Sequence, residues 1–320
     1  MLTQYMNNDT EPITAQDYLA RAEKFHNAND YDRALADCEA ALQLEPENAQ
    51  AYYQRGWLRD DRGPRNEISN EDFELALADY AEALRLDPTC ENAYIARAAI
   101  YNLILDDNVR AMADYNALIA LKPDDAYGYE HRGFLHHHFA NQYDAALSDY
   151  NRSIELEATA ERYSRRGDLR ADLKDYEGAL ADYNLAIQLE PRWYNHVHHR
   201  RGNVYQEMGD FRSAIDEYTI LIDPIANNKN DYLVRYWAEY WNDRAWAYYQ
   251  LDDYGAAMLD ANEAIRRDKS DSWEFRYTRG AIYEALNQVA DAISDYQAVL
   301  ALEPDEDTQQ EMLGYIAQWL

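Results

Sequence analysis

ALADYAEALRLDP at residues 76–88, ALADYNLAIQLEP at 179–191 and AISDYQAVLALEP at 292–304 share the form A-[LI]-x-D-Y-x-x-[AV]-[IL]-x-L-[DE]-P. Their apolar residues recur at i, i+3, i+4 and i+7, the spacing of an amphipathic helix with one buried side. Proline just past the last leucine stops the helix, because it lacks an amide hydrogen and its ring collides with the preceding turn. Each stretch therefore predicts one helix with a defined end.

Between these stretches a second element recurs. Arginine precedes glycine or alanine at 21, 55, 97, 132, 166, 201, 244 and 279, in steps of 34, 42, 35, 34, 35, 43 and 35 residues. An acid accompanies each arginine: Asp37, Asp79, Asp114, Asp149, Asp182, Glu217, Asp260 and Asp295. The separation is 16 or 17 residues except across the first long step. That is the distance from one helix across a tight turn to its antiparallel neighbour. The two columns therefore predict Arg–carboxylate pairs at the joints of a helical repeat.

A small residue at the eighth position, aromatics at the eleventh and twenty-fourth, alanine at the twentieth and proline at the thirty-second resemble the tetratricopeptide repeat. The copy beginning at Ala160 is the clearest, with Tyr163, Gly167, Ala179, Tyr183, Ala186 and Pro191 in register. Departures are Ala158 and Lys269 in place of the terminal proline, and Cys38 and Ala261 in place of the second aromatic. The resemblance implies an all-α, right-handed superhelical solenoid of antiparallel helix pairs, in which neighbours bury what one pair cannot. Residues 1–14 then read as an N-terminal tail and 15–304 as one array of about eight repeats. An insertion is expected near 61–72 and a linker near 224–236. Residues 305–320 are expected to form a capping helix, with Leu313, Ile316 and Ala317 on its inner side.

In that family the inner helices line a concave groove through positions 2, 5, 6, 9, 12 and 13. Those positions hold Tyr53, Trp57, Tyr127, Phe134, Trp246, Tyr249 and Tyr277. Twelve acids stand beside them, among them Asp60, Glu130, Asp168, Glu207 and Asp243, opposed only by Arg165 and Arg200. Such a surface suits an extended basic segment of another protein, with aromatics as anchors and acids as attraction. Trp57, Phe134 and Trp246 are expected to be exposed anchors, and Glu130, Asp168 and Asp243 to be solvated. The cations that grip a C-terminal carboxylate in one subset of the family are missing, with Glu161, Asp168 and Asp243 where they would be needed.

Composition agrees with a protein partner. The chain has 320 residues, with 60 acids against 30 Lys and Arg, a formal net charge of -30. Such a polyanion is repelled by nucleic acid and anionic membranes and attracts basic partners. A non-catalytic scaffold or adaptor is the reading that results. The alternative is an acidic inhibitor that blocks a basic enzyme or nucleic-acid-binding protein by charge mimicry. Two cysteines give no disulfide framework, the N-terminus lacks a secretory pattern, and no run of about 18 apolar residues occurs, so the cytoplasm is the expected compartment.

Half of the eight histidines fall in HRGFLHHHFA at 131–140, and HVHH follows at 196–199. Repeat register puts His136 and His198 at core positions, and His26, His131, His137, His138, His196 and His199 on the groove or its rim. His131 and His138 lie about 10 Å apart along a helix, and His137 and His138 diverge by roughly 100°. A zinc site needs three or four converging ligands, so neither metal nor cofactor is expected. No GxSxG, HExxH, P-loop or GxGxxG motif occurs, and no catalytic activity is expected.

Overall fold

A computed structural model describes residues 14–61, 68–191, 194–226, 234–268, 270–302 and 305–319. Among them are seventeen α-helices and no strand. Where the sequence suggests one array over 15–304, the chain groups into two compact units, Met1–Glu157 and Ala158–Leu320. The division falls where Ala158 interrupts the proline column.

The first unit holds four hairpins: α1 (Ala15–Asn27) with α2 (Tyr31–Leu44), α3 (Ala49–Asp60) with α4 (Asn70–Leu86), α5 (Glu91–Leu103) with α6 (Asn108–Leu121), and α7 (Ala126–His138) with α8 (Tyr143–Leu156). The second holds α9 (Ala160–Asp172) with α10 (Tyr176–Leu189), α11 (Tyr194–Glu207) with α12 (Phe211–Ala226), α13 (Val234–Gln250) with α14 (Tyr254–Arg267), and α15 (Trp273–Ala285) with α16 (Val289–Ala301), followed by α17 (Glu306–Trp319). Inside each unit, outer helices pack on the next inner helix, and inner helices also touch each other, as α1 does α3 and α13 does α15.

Local chemistry starts and stops these helices. Several outer helices begin at an aspartate whose side chain accepts an amide hydrogen of the first turn: Asp107 from Arg110, Asp175 from Gly178, Asp253 from Ala256. Such a cap satisfies one of the amides that has no intrahelical partner. The residue before the cap has positive φ, as Lys174 does at 62° and Gly209 at 78°. Prolines 46, 88, 123 and 191 follow the C-caps of α2, α4, α6 and α10.

The core repeats with the sequence. Ala34, Ala76, Ala111, Ala146, Ala179, Ala214, Ala257 and Ala292 are all buried, as are Tyr80, Tyr115, Tyr150, Tyr183, Tyr218 and Tyr296. Small eighth residues let the helices approach. A methyl group added at Gly167 would stand 2.7 Å from the Tyr183 ring. Where the eighth residue is Ala22 or Ala245, the facing side chain shrinks to Cys38 or Ala261. At these two joints one column compensates the other in volume, whereas Ala98 still packs with Tyr115.

Three boundary expectations change. Residues 1–13 lie outside the described residues. Of the expected insertion, 62–67 lie outside them too, but 70–72 are the first turn of α4, capped by Ser69 and Asp72 in a capping box. Of the expected linker, 227–233 lie outside, while α12 continues to Ala226 and α13 begins at Val234. The capping helix is present with a different phase: Met312 and Ile316 are buried with Tyr315 against the last core cluster, and Leu313 is 56% exposed. Both triplets have helical spacing and share Ile316. The ring of Tyr315, stacked 5.4 Å from Tyr296, accompanies the observed phase.

Candidate protein-interaction face

The joints come first, because they orient the inner helices. Seven arginines of the column grip their aspartate through Nε and Nη2, with distances of 2.6–3.0 Å. The sixth differs: Arg201 Nη2 donates to Glu217 Oε1 at 2.7 Å, and His198 Nδ1 lies 2.5 Å from Oε2. Most of these guanidiniums also lie against the aromatic at the fourth position, as Arg244 does 5.0 Å from the Trp241 ring centre. The arginines reach backwards as well, since Arg132, Arg201 and Arg279 donate to Asn116, Asn184 and Asn262 of the preceding outer helix. All eight predicted pairs are present, and they make the arginine column a structural fastening.

Residues at the eleventh position strengthen three joints. Arg59 adds a second guanidinium to Asp79, Arg170 adds one to Asp182 at 2.8 Å, and His136 Nε2 stands 3.7 Å from Asp149. His136 thus faces the outer helix as its register predicts, though half-buried, and His198 is buried at 4% exposure. His137, expected on the groove rim, is buried instead at 3%, edge-on to Tyr143 and Tyr150. Its ring stacks on that of exposed His138 at 4.0 Å, where divergence was expected.

The inner face of the first unit is more closed than the sequence suggests. Trp57 is half-buried rather than an exposed anchor: its ring lies 4.2 Å from His26 and packs against two core clusters. His26 Nε2 in turn meets Asp61 at 2.6 Å. Tyr53 is half-buried 6.1 Å from Tyr80, and burial raises its phenol. Asp60 is half-buried. Glu130, expected to be solvated, is buried at 6% exposure. His131 fills the space between Tyr127 and Tyr115, with ring centres 4.1 and 5.5 Å away, and Phe134 rests on His138 at 4.4 Å.

In the second unit Asp168 and Asp243 are half-buried and engaged. Asp168 accepts the Tyr183 hydroxyl at 2.7 Å, with Arg200 3.7 Å away, and burial followed by the Asp168 charge raises the Tyr183 phenol. Asp243 Oδ2 meets His199 Nε2 at 2.7 Å, and Arg165 is held by Glu161. The solvation expected for Asp168 and Asp243 is therefore replaced by pairing. Between α9 and α11 lies a cleft of about 310 Å³ lined by Asp168, Asp172, Glu207, Tyr176, Tyr183, Arg200 and Lys174. Glu207 is exposed there. Trp246 is half-buried, stacked 5.1 Å from Tyr249 and 6.2 Å from Tyr277.

Among the described residues no three His, Cys, Asp or Glu side chains converge as a metal would need, and no helix is long and apolar enough to cross a membrane. Cys38 is a buried free thiol that burial pushes up to about 12.

The repeat geometry is matched by known proteins. Two tetratricopeptide repeat family models match residues 160–192 and 242–307. The chain is a tetratricopeptide repeat protein. RNA polymerase II-associated protein 3 of Homo sapiens is 33% identical over 120 residues, which are 38% of this chain and 16% of that protein. The chain thus spans under a fifth of that relative's length. Among solved structures, Cut9 with Hcn1, an APC/C hetero-tetramer, superposes with TM-score 0.60 at 17% identity over 94% of this chain and 55% of the other. Yeast Tom70 does so with TM-score 0.52 at 16% identity over 98% and 65%. Both establish the fold, a tetratricopeptide repeat solenoid. The tetratricopeptide repeat is a scaffold for protein–protein contact, and protein or peptide partners follow from it.

Proposed function

We propose that the chain is a non-catalytic adaptor whose inner helix faces take an extended, basic segment of another protein. The observation that carries this is the half-buried aromatic surface of Trp246, Tyr249 and Tyr277, set in a chain of formal charge -30. Aromatics with one free side anchor a ligand, and a surrounding negative field raises the rate of encounter with cations. The pairings of Asp168 and Asp243 move the attraction to more exposed acids, such as Asp172 and Glu207. Nucleic acid and anionic membrane are disfavoured by the same field. The name of the human relative describes association with RNA polymerase II, which supports a role in assembly for a chain with these repeats. The cytoplasm is part of the proposal, and a fluorescent fusion found elsewhere would remove it.

Surface plasmon resonance of the full chain against an extended basic peptide and a folded basic protein, across a salt series, separates adaptor from charge mimic. An adaptor binds the peptide with modest salt dependence. Binding only to the folded protein, weakening steeply with salt, would replace the adaptor by the acidic inhibitor. Reversing Asp172 and Glu207 to lysine should slow association with little change in melting temperature, because neither packs into the core.

A further inference from the structure

Helix α17 does more than cover a core. Its Met312 and Ile316 pack on Ala292, Tyr296 and Val299, while Glu311 Oε1 accepts the hydroxyl of Tyr277 on α15 at 3.3 Å. That contact joins α17 to an inner helix, as the pairing of His199 with Asp243 joins α11 to α13. α17 therefore stands where the inner helix of a ninth repeat would stand, and it extends the inner face by one more element.

Around this contact the aromatic density is high. Trp246 and Tyr249 of α13 are stacked at 27°, Tyr277 lies 6.2 Å from Trp246, and Tyr315 of α17 stacks on Tyr296 at 21°. Two carboxylates are set among these rings. Glu311 is one, and Glu284 of α15, which accepts the Tyr296 hydroxyl at 3.0 Å, is the other. Burial and then the charges of Glu311 and Glu284 raise the Tyr315 phenol, so both acids act on one spot. Each glutamate is held by a phenol, and neither has an ion pair among the described residues. The arginines of the same repeat are engaged elsewhere: Arg276 with Asp271, and Arg279 with Asp295 and Asn262.

We propose that this corner, formed by α13, α15 and α17, is a subsite for an arginine side chain of the partner's basic segment. The inference rests on the reading of the inner face as a site for such a segment. A guanidinium is planar, stacks on aromatic faces and presents a fork that fits carboxylates on its edge. A lysine ammonium meets the charge but cannot stack as a plane, so arginine is the favoured occupant. Trp246 and Tyr277 supply the stacking surface, and Glu284 and Glu311 accept from the fork.

Fluorescence anisotropy of labelled nona-arginine and nona-lysine with the full chain at low salt tests this. The double variant Glu284→Gln/Glu311→Gln keeps shape and hydrogen-bonding capacity while removing both charges, and its thermal melt by circular dichroism should match the native chain. Its Kd for nona-arginine should rise about tenfold, and that for nona-lysine less than about threefold. Binding of nona-arginine within about twofold of native would overturn the subsite and leave the inner-face reading standing. Equal losses for the two peptides would overturn the assignment to arginine. Failure of the native chain to bind either peptide would overturn both the subsite and the reading beneath it.

Discussion

The fifth and sixth joints of the array perform one task with different polar groups. In the fifth, Asp182 is 1% exposed and receives two hydrogen bonds from Arg166 and a third from Arg170. In the sixth, Glu217 is 7% exposed and divides its oxygens between Arg201 and His198. Their turns differ too: the left-handed residue is Lys174 in the fifth and Gly209 in the sixth. A buried carboxylate thus needs its oxygens satisfied by hydrogen-bonding partners, but the fold accepts more than one way of supplying them.

The largest effect expected from this difference comes from removing the arginines. Arg201→Ala takes away the only guanidinium on Glu217 among the described residues and the tie to Asn184, and should cost about 3 kcal/mol. Arg166→Ala leaves Arg170 on Asp182 and should cost about 1–2 kcal/mol. Urea unfolding with hydrogen exchange to localise the opened repeats measures both. An equal or larger loss for Arg166→Ala would remove the distinction between doubled and single joints.

A smaller effect should appear in acid. Burial opposes ionisation of Glu217, yet hydrogen bonds from His198 and Arg201 hold its carboxyl below the usual value of 4.5. A carboxylate with a lowered folded value contributes stability that is complete above its unfolded value and lost as pH falls through the folded one. His198→Tyr puts at this joint the aromatic found at the fourth position of most repeats and removes one of the two groups that keep the carboxyl low. Unfolding on acidification, followed by circular dichroism, should then begin at a higher pH than in the native chain. An unchanged acid transition would mean that Arg201 alone holds Glu217.

The smallest effect belongs to the turns. Lysine at φ 62° carries the cost of a left-handed backbone that glycine avoids, while glycine loses more freedom on folding. Lys174→Gly should therefore gain about 0.5 kcal/mol, and Gly209→Ala should lose about 1 kcal/mol. Differential scanning calorimetry of the two variants tests the pair. A loss on Lys174→Gly would show that the lysine side chain contributes to the α9–α11 cleft it lines.

The hairpins, the packed column of alanines and tyrosines and all eight arginine pairs were legible in the sequence. Each depends on residues within one repeat, where 16 or 17 residues across a tight turn leave a single geometry at every pair but Arg55–Asp79, whose 24 residues span the insertion. The inner face was legible only in part. Trp57 is half-buried where the register leads one to expect an exposed anchor, and the states of the acids are not readable from one repeat. His26 pairs with Asp61 at a separation of 35 residues and His199 with Asp243 at 44, so the partner lies in a neighbouring repeat. The longer separation also crosses an irregular step, where counting by period fails.

The phase of the capping helix shows the same limit. Two triplets in α17 satisfy one helical spacing, and only contact with Tyr296 and Val299 separates Met312, Tyr315 and Ile316 from Leu313 and Ala317. Period and residue type by themselves determined that this chain is an array of helix pairs fastened by arginine, because those interactions are local and repeated. The tertiary structure alone decided which acids meet water and which meet a histidine, a phenol or the core. Those environments arise from side chains of different repeats, brought together only when the repeats stack.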